Sequence, residues 1–161
     1  MAKIVRINHV AFAVKDMDGA IRSAVENLGG ELMLKFECID KHYKGACIQL
    51  GESIISVLEP TDDSSFIAQH IESQGVGVQH IGLEIDNLEE YVDHLEQKEI
   101  KVDKSQLRDE EFPEALVGPK VGNGVVLQLT QWRGGHFDVS PEGKKRLRQK
   151  YLTADNLRVI E

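Results

Sequence analysis

Residues 7–14 read INHVAFAV and residues 78–85 read VQHIGLEI, so that the second stretch repeats the pattern of the first at a constant offset of 71 residues. Each stretch carries a histidine at its third position, His9 in the first copy and His80 in the second. A repeat at a fixed offset is typical of a protein built from duplicated units. Equivalent positions in two copies can face each other, and two facing histidines are the beginning of a metal site. We therefore predict His9 and His80 as metal ligands.

Length, charge and cysteine content exclude several kinds of function. The chain has 161 residues, of which 41% are hydrophobic and 29% charged, and this is an ordinary globular composition. The net charge of −8 argues against a nucleic-acid partner, because phosphate binding needs a cationic surface. No signal-like segment and no run of about 20 apolar residues is present, so we predict a cytoplasmic protein without a membrane partner. Cys38 and Cys47 fit neither a disulfide framework nor a CxxC pair and are predicted to be reduced structural thiols.

Each copy is predicted to form a module of one strand, one helix and three further strands. In the first copy, Asp16 is a suitable N-cap for a helix, and three apolar runs follow at 31–37, 46–50 and 53–58. In the second copy, a helix is expected after Asn87, and a hairpin is expected at 116–121 and 125–130. Residues 105–114 are polar without a clear period and are predicted to be a loop.

These patterns predict an α+β chain with four segments. They are a first βαβββ module at residues 4–60, a linker helix at 61–77, a second βαβββ module at 78–132 and a C-terminal extension at 133–161. Ser140 and Pro141 mark the start of a helix in the extension, and residues 144–150 are strongly basic. We interpret this basic run as a solvated helix face. The alternative is a clamp for a phosphate-bearing ligand or for an acidic surface of a second subunit.

The paired modules resemble the vicinal oxygen chelate superfamily of glyoxalases, bleomycin resistance proteins and dioxygenases over residues 4–132. Within it, methylmalonyl-CoA epimerases are the most similar family. The similar motifs are HVA at 9–11, VLEP at 57–60, SFIA at 65–68, GVQHI at 77–81 and GVVLQLTQ at 124–131. The resemblance implies that the two modules form a curved, cup-like mixed sheet. It also implies a divalent metal bound by side chains at the positions of His9, Ser56, His80 and Gln128.

The chain departs from this family at two of those four positions. Epimerases of this kind usually carry Gln or Glu where Ser56 stands, and Glu where Gln128 stands. An amide oxygen offers a metal only a dipole, and a neutral hydroxyl is a poor ligand, so weaker metal binding is expected. We predict that His9, His80 and Gln128 bind Zn²⁺, Co²⁺ or Mn²⁺, and that Ser56 and Gln49 bind substrate.

The resemblance implies an isomerase that removes the proton next to a thioester carbonyl through a metal-stabilised enolate. The family uses two glutamates as proton carriers, and neither has an obvious counterpart here, although Glu37, Glu52 and Glu84 are available. A glyoxalase-like lyase and a non-catalytic small-molecule-binding protein are the alternatives. The predicted partners are a small-molecule substrate such as an acyl-CoA and a second copy of the chain in a homodimer. His136 is expected to be a loop histidine, with metal ligation as the alternative.

Overall fold

A computed structural model describes residues 1–160. The strands in this range are β1 (Ile4–Ala13), β2 (Glu31–Cys38), β3 (Tyr43–Leu50), β4 (Ser53–Pro60), β5 (Gly77–Ile85), β6 (Val102–Gln106), β7 (Glu114–Val117), β8 (Val126–Thr130) and β9 (Leu157–Ile160). The helices are α1 (Met17–Arg22), which continues as a π-helical turn (Ser23–Asn27), α2 (Phe66–Gln74), α3 (Leu88–Gln97) and α4 (Pro141–Thr153). Parallel and antiparallel strand pairs both occur, so the predicted α+β class with a mixed sheet is confirmed.

The described chain divides into two compact units. Unit 1 contains residues 1–9 and 80–137, and unit 2 contains residues 10–79 and the C-terminal segment from Asp138. Strand β1 therefore contributes its first part to unit 1 and its second part to unit 2. The predicted order of strand, helix and three strands is present in both copies of the repeat.

Unit 1 has the strand order β6-β7-β8-β5-β1. Its core lies on the side of α3, where apolar residues of β5, β7 and β8 pack against Leu88 and Val92. Side chains alternate between the two faces of a strand, so the residues between these apolar positions point to the opposite face. We call that opposite face the polar face, and its members are Glu114 of β7, His80, Gly82 and Glu84 of β5, and Gln128 and Thr130 of β8.

Unit 2 has the strand order β1-β4-β3-β2-β9. Its core includes Met17 of α1 together with Ala46 and Ile48 of β3. Because Cys47 lies between these two β3 residues, its side chain points to the other face of the sheet. There it is paired in register with Ser56 of β4.

The C-terminal segment adds a helix and a strand to unit 2. Ser140 caps α4 by accepting a hydrogen bond of 3.0 Å from the amide of Gly143, as the Ser140–Pro141 pair predicts. Leu147 is buried, and the ring of Tyr151 lies 4.3 Å from that of Phe36 on β2. Strand β9 then pairs antiparallel with β2. The sequence predicts only a helix in this segment, because a four-residue strand without a hairpin turn gives no clear pattern.

The closing hairpin of the second module is shorter than predicted. Strand β7 ends at Val117, whereas the sequence suggests a strand that continues to Val121. Residues 118–125 form turns instead, because Pro119 has no amide hydrogen to donate to a neighbouring strand. No helix among residues 1–160 is both long enough and apolar enough to cross a membrane.

Candidate metal site

Two imidazole rings face each other in unit 1. The Nε2 atoms of His9 and His80 lie 3.1 Å apart, and the ring planes are nearly perpendicular at 87°. Two nitrogens that bind one Zn²⁺ at about 2.0–2.1 Å with a tetrahedral angle are about 3.3 Å apart. The spacing of the two Nε2 atoms is therefore close to that of neighbouring ligands of a single ion.

A chain of hydrogen bonds sets the tautomer of His9. The Nδ2 group of Asn8 donates to Oγ1 of Thr130 at 3.1 Å, and this hydroxyl is 3.4 Å from the carbonyl oxygen of Leu83, to which it donates. The amide nitrogen of Asn8 is thereby engaged, so its Oδ1 faces Nδ1 of His9 at 2.5 Å. An amide oxygen only accepts hydrogen bonds, and Nδ1 must carry the proton. In the neutral imidazole, Nε2 of His9 then carries a lone pair, which faces Nε2 of His80 at 3.1 Å in this structure and is the pair that a metal ion would use instead.

Gly82 provides the space that the His9 ring occupies. A Cβ atom at position 82 would overlap with Cε1 and Nδ1 of His9 and with Oδ1 of Asn8. The imidazole of His9 therefore lies where a side chain at position 82 would be, on the polar face beside His80.

Gln128 is the third predicted ligand and lies next to this ring. In the parallel pairing of β5 with β8, Gln128 stands opposite Gly82. Its Nε2 group donates to Oε2 of Glu114 at 2.8 Å, while its Oε1 is buried and has no hydrogen-bond partner among the described residues. Unit 1 thus carries His9, His80 and Gln128 on its polar face, and metal binding by the three stays a prediction.

No carboxylate or thiolate completes this set. Within residues 1–160, no three His, Cys, Asp or Glu side chains are grouped so that they could bind a metal ion. The candidate site consists of the two imidazoles predicted from the repeat and the amide oxygen of Gln128 that the family resemblance implies. The residues fit a weakly held divalent ion with positions left for substrate.

The two predicted substrate-binding residues belong to unit 2. Ser56 is buried, and its Oγ lies 3.7 Å from Sγ of Cys47. Burial raises the pKa of Cys47 to about 11, although hydrogen bonds to Ser56 and Tyr151 act in the opposite direction. Gln49 donates its Nε2 hydrogen to the carbonyl of Gly51 at 2.8 Å, and its Oε1 is buried without a partner in the described chain. Substrate binding by Ser56 and Gln49 stays a prediction.

A buried carboxylate lies on the same face of β5, four residues beyond His80. Glu84 is only 3% exposed, and its Oε1 is 2.5 Å from Nδ1 of His136. Its Oε2 is 3.6 Å from Nε of Arg6. His136, which the sequence suggests to be a loop histidine, is thus paired with a glutamate on the polar face.

Aromatic side chains cover His9. The ring of Phe137 lies 5.5 Å from the His9 ring, edge to face, and stacks at 4.8 Å on Trp132. Phe112 packs against the other side of this group, 4.9 Å from Trp132. We call Phe112, Trp132 and Phe137 the aromatic cover. The segment that follows β8 therefore returns to the polar face of unit 1.

Three residues at this site, Asn8, Glu114 and Phe137, are not predicted from the sequence. Asn8 carried a usable signal, since a polar residue beside a candidate ligand in an apolar strand is a candidate for orienting that ligand. Glu114 lies at the end of an acidic stretch without periodicity, and Phe137 lies in a segment without a regular pattern. Neither of these two gave a signal in the sequence.

The comparison with protein families identifies the superfamily. Residues 7–113 match the model of the Glyoxalase/Bleomycin resistance protein/Dioxygenase superfamily. The chain belongs to this superfamily. The resemblance inferred from the repeated histidine motifs is confirmed.

Similar proteins within this superfamily are methylmalonyl-CoA epimerases. The mitochondrial methylmalonyl-CoA epimerase of Mus musculus is 26% identical over 132 residues, which cover 80% of this chain and 74% of that protein. The ethylmalonyl-CoA/methylmalonyl-CoA epimerase of Cereibacter sphaeroides is 28% identical over 130 residues, with 78% and 97% of the two chains covered. A structure of Streptomyces coelicolor methylmalonyl-CoA epimerase in complex with 2-nitronate-propionyl-CoA shares the fold, with a TM-score of 0.73 at 20% identity and coverage of 82% and 100%.

Proposed function

We propose that the protein is a metal-dependent epimerase that removes and returns the proton next to the thioester carbonyl of an acyl-CoA. The observation that carries this proposal is the pair of facing Nε2 atoms of His9 and His80, 3.1 Å apart. The similarity to methylmalonyl-CoA epimerases supports the choice of reaction.

In this proposal, His9 and His80 bind the ion through Nε2, and Gln128 binds it through Oε1. The ion is Zn²⁺, Co²⁺ or Mn²⁺, since imidazole and amide ligands suit these metals. When bound, it would stabilise the negative charge that develops on the thioester oxygen as the proton leaves. Asn8 contributes by keeping the proton of His9 on Nδ1.

Among the three glutamates considered as bases, Glu84 is the one on the polar face, four residues along β5 from His80, and we propose it as a relay of protons between solvent and the site. Glu37 lies on β2 of unit 2 and so not on the polar face of unit 1, and Glu52 is exposed in the turn between β3 and β4. Glu84 instead lies buried on the polar face, and His136 at 2.5 Å can take up or return its proton. A carboxylate paired with a partly exposed imidazole can exchange protons with solvent.

Metal content and proton exchange test the epimerase proposal together. Protein purified without chelator or affinity tag and then incubated with Zn²⁺, Co²⁺ or Mn²⁺ is expected to contain one of these ions at near-stoichiometric amounts by elemental analysis. His9→Ala and His80→Ala should each remove this metal. The wild type should then exchange the acidic proton of an alkylmalonyl-CoA for deuterium. If the wild type takes up none of the three ions during incubation, the epimerase proposal is wrong.

One observation favours a second candidate, a binding protein without catalytic activity. The three predicted ligands include no carboxylate, and two imidazoles with one neutral amide oxygen are expected to bind an ion weakly. Such a protein would bind an acyl-CoA in calorimetry without metal and without proton exchange. Ser56→Ala and Gln49→Ala should weaken acyl-CoA binding under either candidate function, since both residues are predicted to bind substrate.

We also propose a homodimer. The sequence supports this through the basic run at 144–150, which contrasts with a net charge of −8 for the whole chain. Light scattering at working concentration should give twice the monomer mass, and a monomer mass would contradict the proposal.

A further inference from the structure

We infer that Glu114 is a positioning residue that directs the side-chain oxygen of Gln128 toward the metal. This inference rests on the proposed function, because it assumes that Gln128 is a ligand. It assigns a role to a carboxylate on β7 that belongs to none of the predicted ligand positions.

The hydrogen bond between the two side chains fixes the orientation of the Gln128 amide. An ionised carboxylate can accept hydrogen bonds but cannot donate them. The NH₂ group of Gln128 must therefore be the part that faces Oε2 of Glu114, at 2.8 Å. Since the two ends of an amide point in opposite directions, Oε1 of Gln128 is turned away from Glu114.

The other end of the amide lacks a partner. Oε1 of Gln128 is buried and accepts no hydrogen bond from any described residue. A buried acceptor in this state is unfavourable unless a donor or a cation satisfies it. The pairing with Glu114 thus creates a fixed, unsatisfied oxygen on the polar face.

The strand register places this oxygen near the histidines. Gln128 lies opposite Gly82 on one side, and the His9 ring occupies the space above Gly82. On its other side, Gln128 lies opposite Leu116 of β7, and Glu114 is two residues away on the same face. Glu114 therefore holds the amide from the side opposite to His9.

The alternative is that Glu114 only supports the β7–β8 strand pair. Its backbone pairs with Thr130 whatever its side chain is, so a structural role would not depend on which residue stands at position 128. An exchange of the two side chains distinguishes the two roles. It preserves a carboxylate–amide pair but moves the carboxylate into the ligand position.

The experiment is a calorimetric titration of the chelator-treated full chain with Zn²⁺ and with Co²⁺. An amide at position 114 can present its NH₂ group as well as its oxygen, so Glu114→Gln no longer dictates which end of the Gln128 amide faces the metal. We expect it to lower metal affinity about 10- to 100-fold, as loss of the control over a ligand's orientation does. Gln128→Glu alone places two carboxylates side by side, and their repulsion should prevent a single fixed geometry. The double variant Glu114→Gln/Gln128→Glu should bind at least as tightly as the wild type, because a charged oxygen then faces the ion. Glu110→Gln, at an exposed neighbour, is the matched control for loss of charge.

A second readout does not depend on affinity. The side-chain amide resonances of Gln128 should shift on Zn²⁺ addition in the wild type and in Glu110→Gln, and much less in Glu114→Gln.

The outcomes separate this inference from the proposed function. If the wild type binds metal and Glu114→Gln binds it equally well, the metal site is present but Glu114 has no positioning role in it. If Glu114→Gln lowers affinity and the double variant fails to restore it, Glu114 acts only through the strand pair. If the wild type binds neither ion, the metal site and the role of Glu114 are both wrong.

Discussion

The two copies of the repeat differ most on the sheet faces that lie opposite their helices. In unit 1, this face carries two histidines that face each other, Gln128 bonded to Glu114, and the buried Glu84 bonded to His136. In unit 2, the position equivalent to Gln128, at an offset of 72 residues, is Ser56, and its neighbour is the thiol of Cys47. Both copies have therefore kept the same order of strands and helix, while the groups suited to metal chemistry, His9 of the first copy with His80 and Gln128 of the second, all lie in unit 1.

One substitution between the copies explains part of this difference. Gly82 corresponds to Ala11 at the offset of 71 residues. The missing Cβ at position 82 makes room for an imidazole ring, whereas Ala11 is completely buried against its own neighbours. In unit 1, the absence of a methyl group at position 82 is what allows the His9 ring to lie on the sheet face.

The largest expected effect follows from removing the cover of unit 1. Phe137→Ala deletes a buried ring that contacts both His9 and Trp132, and we expect a loss of about 3–5 kcal/mol in the free energy of unfolding. Metal should also reach His9 faster. Trp132 is the single tryptophan in the sequence, so its fluorescence can follow both unfolding and metal addition. Phe66→Ala in unit 2 is the control, because that ring is partly exposed and should cost less.

A somewhat smaller effect is expected from giving unit 1 the methyl group of unit 2. Gly82→Ala should displace the His9 ring, lower the free energy of unfolding by about 1–3 kcal/mol and weaken metal binding. Gly118→Ala is the matched control in the same unit, since a Cβ there has open space. The converse change, Ala11→Gly, should cost about 1–2 kcal/mol, because a glycine inside a strand costs about 0.5–1 kcal/mol and loss of the buried methyl about 0.8 kcal/mol more. Equal metal affinity for Gly82→Ala and Gly118→Ala would refute the importance of this space.

The thiols of unit 2 provide a test based on pH. Burial raises the pKa of Cys47 and of Cys38 from 9.0 to about 11. Both folded-state values lie above the unfolded value, so stability is complete below pH 9 and falls as the pH rises from about 9 to about 11. In chemical denaturation curves, the wild type should lose stability across this range.

The reactivity of Cys38 and Cys47 also tests the effect of burial on their thiols. At pH 8, both cysteines should react slowly with a disulfide reagent in the folded wild type and rapidly in denaturant, because the thiolate is the reactive form. Tyr151→Ala removes a hydrogen-bonding neighbour that covers Cys47 and admits solvent, so the reaction of Cys47 should become faster. An unchanged rate would show that Tyr151 does not shield this thiol.

The smallest differences should come from surface ion pairs. Lys104 contacts Glu96 at 2.7 Å in unit 1, and Lys144 contacts Glu31 at 3.3 Å in unit 2. Lys104→Ala and Lys144→Ala should each change the free energy of unfolding by less than about 1 kcal/mol, and salt should reduce the effect further. A large loss in either unit would mean that these exposed charges do more than pair on the surface.

The repeat made most of the fold predictable. Alternating apolar residues and caps such as Asp16 and Asn87 report on local structure, and the offset of 71 residues by itself pairs His9 with His80. The family resemblance supplied Gln128. All of these signals are local or repeat with a fixed spacing.

The remaining features depend on contacts between distant parts of the chain. Asn8 bonds to Thr130 across 122 residues, and His136 reaches Glu84 across 52 residues. Periodicity reports which face of a strand is buried, but it does not show which loop returns to cover that face. This is why the aromatic cover and the pairing of Glu114 with Gln128 could not be foreseen.

Strand β9 has a consequence for the behaviour of the protein in solution. An eight-residue strand such as β2, left without a neighbour on one side, would offer unpaired amide and carbonyl groups to another molecule. β9 pairs with part of this strand and becomes the outer edge itself, but it is only four residues long and carries the charged Arg158. Short, charged edges discourage intermolecular sheet growth. By pairing with β2, strand β9 therefore lowers the tendency of this sheet edge to pair with another molecule.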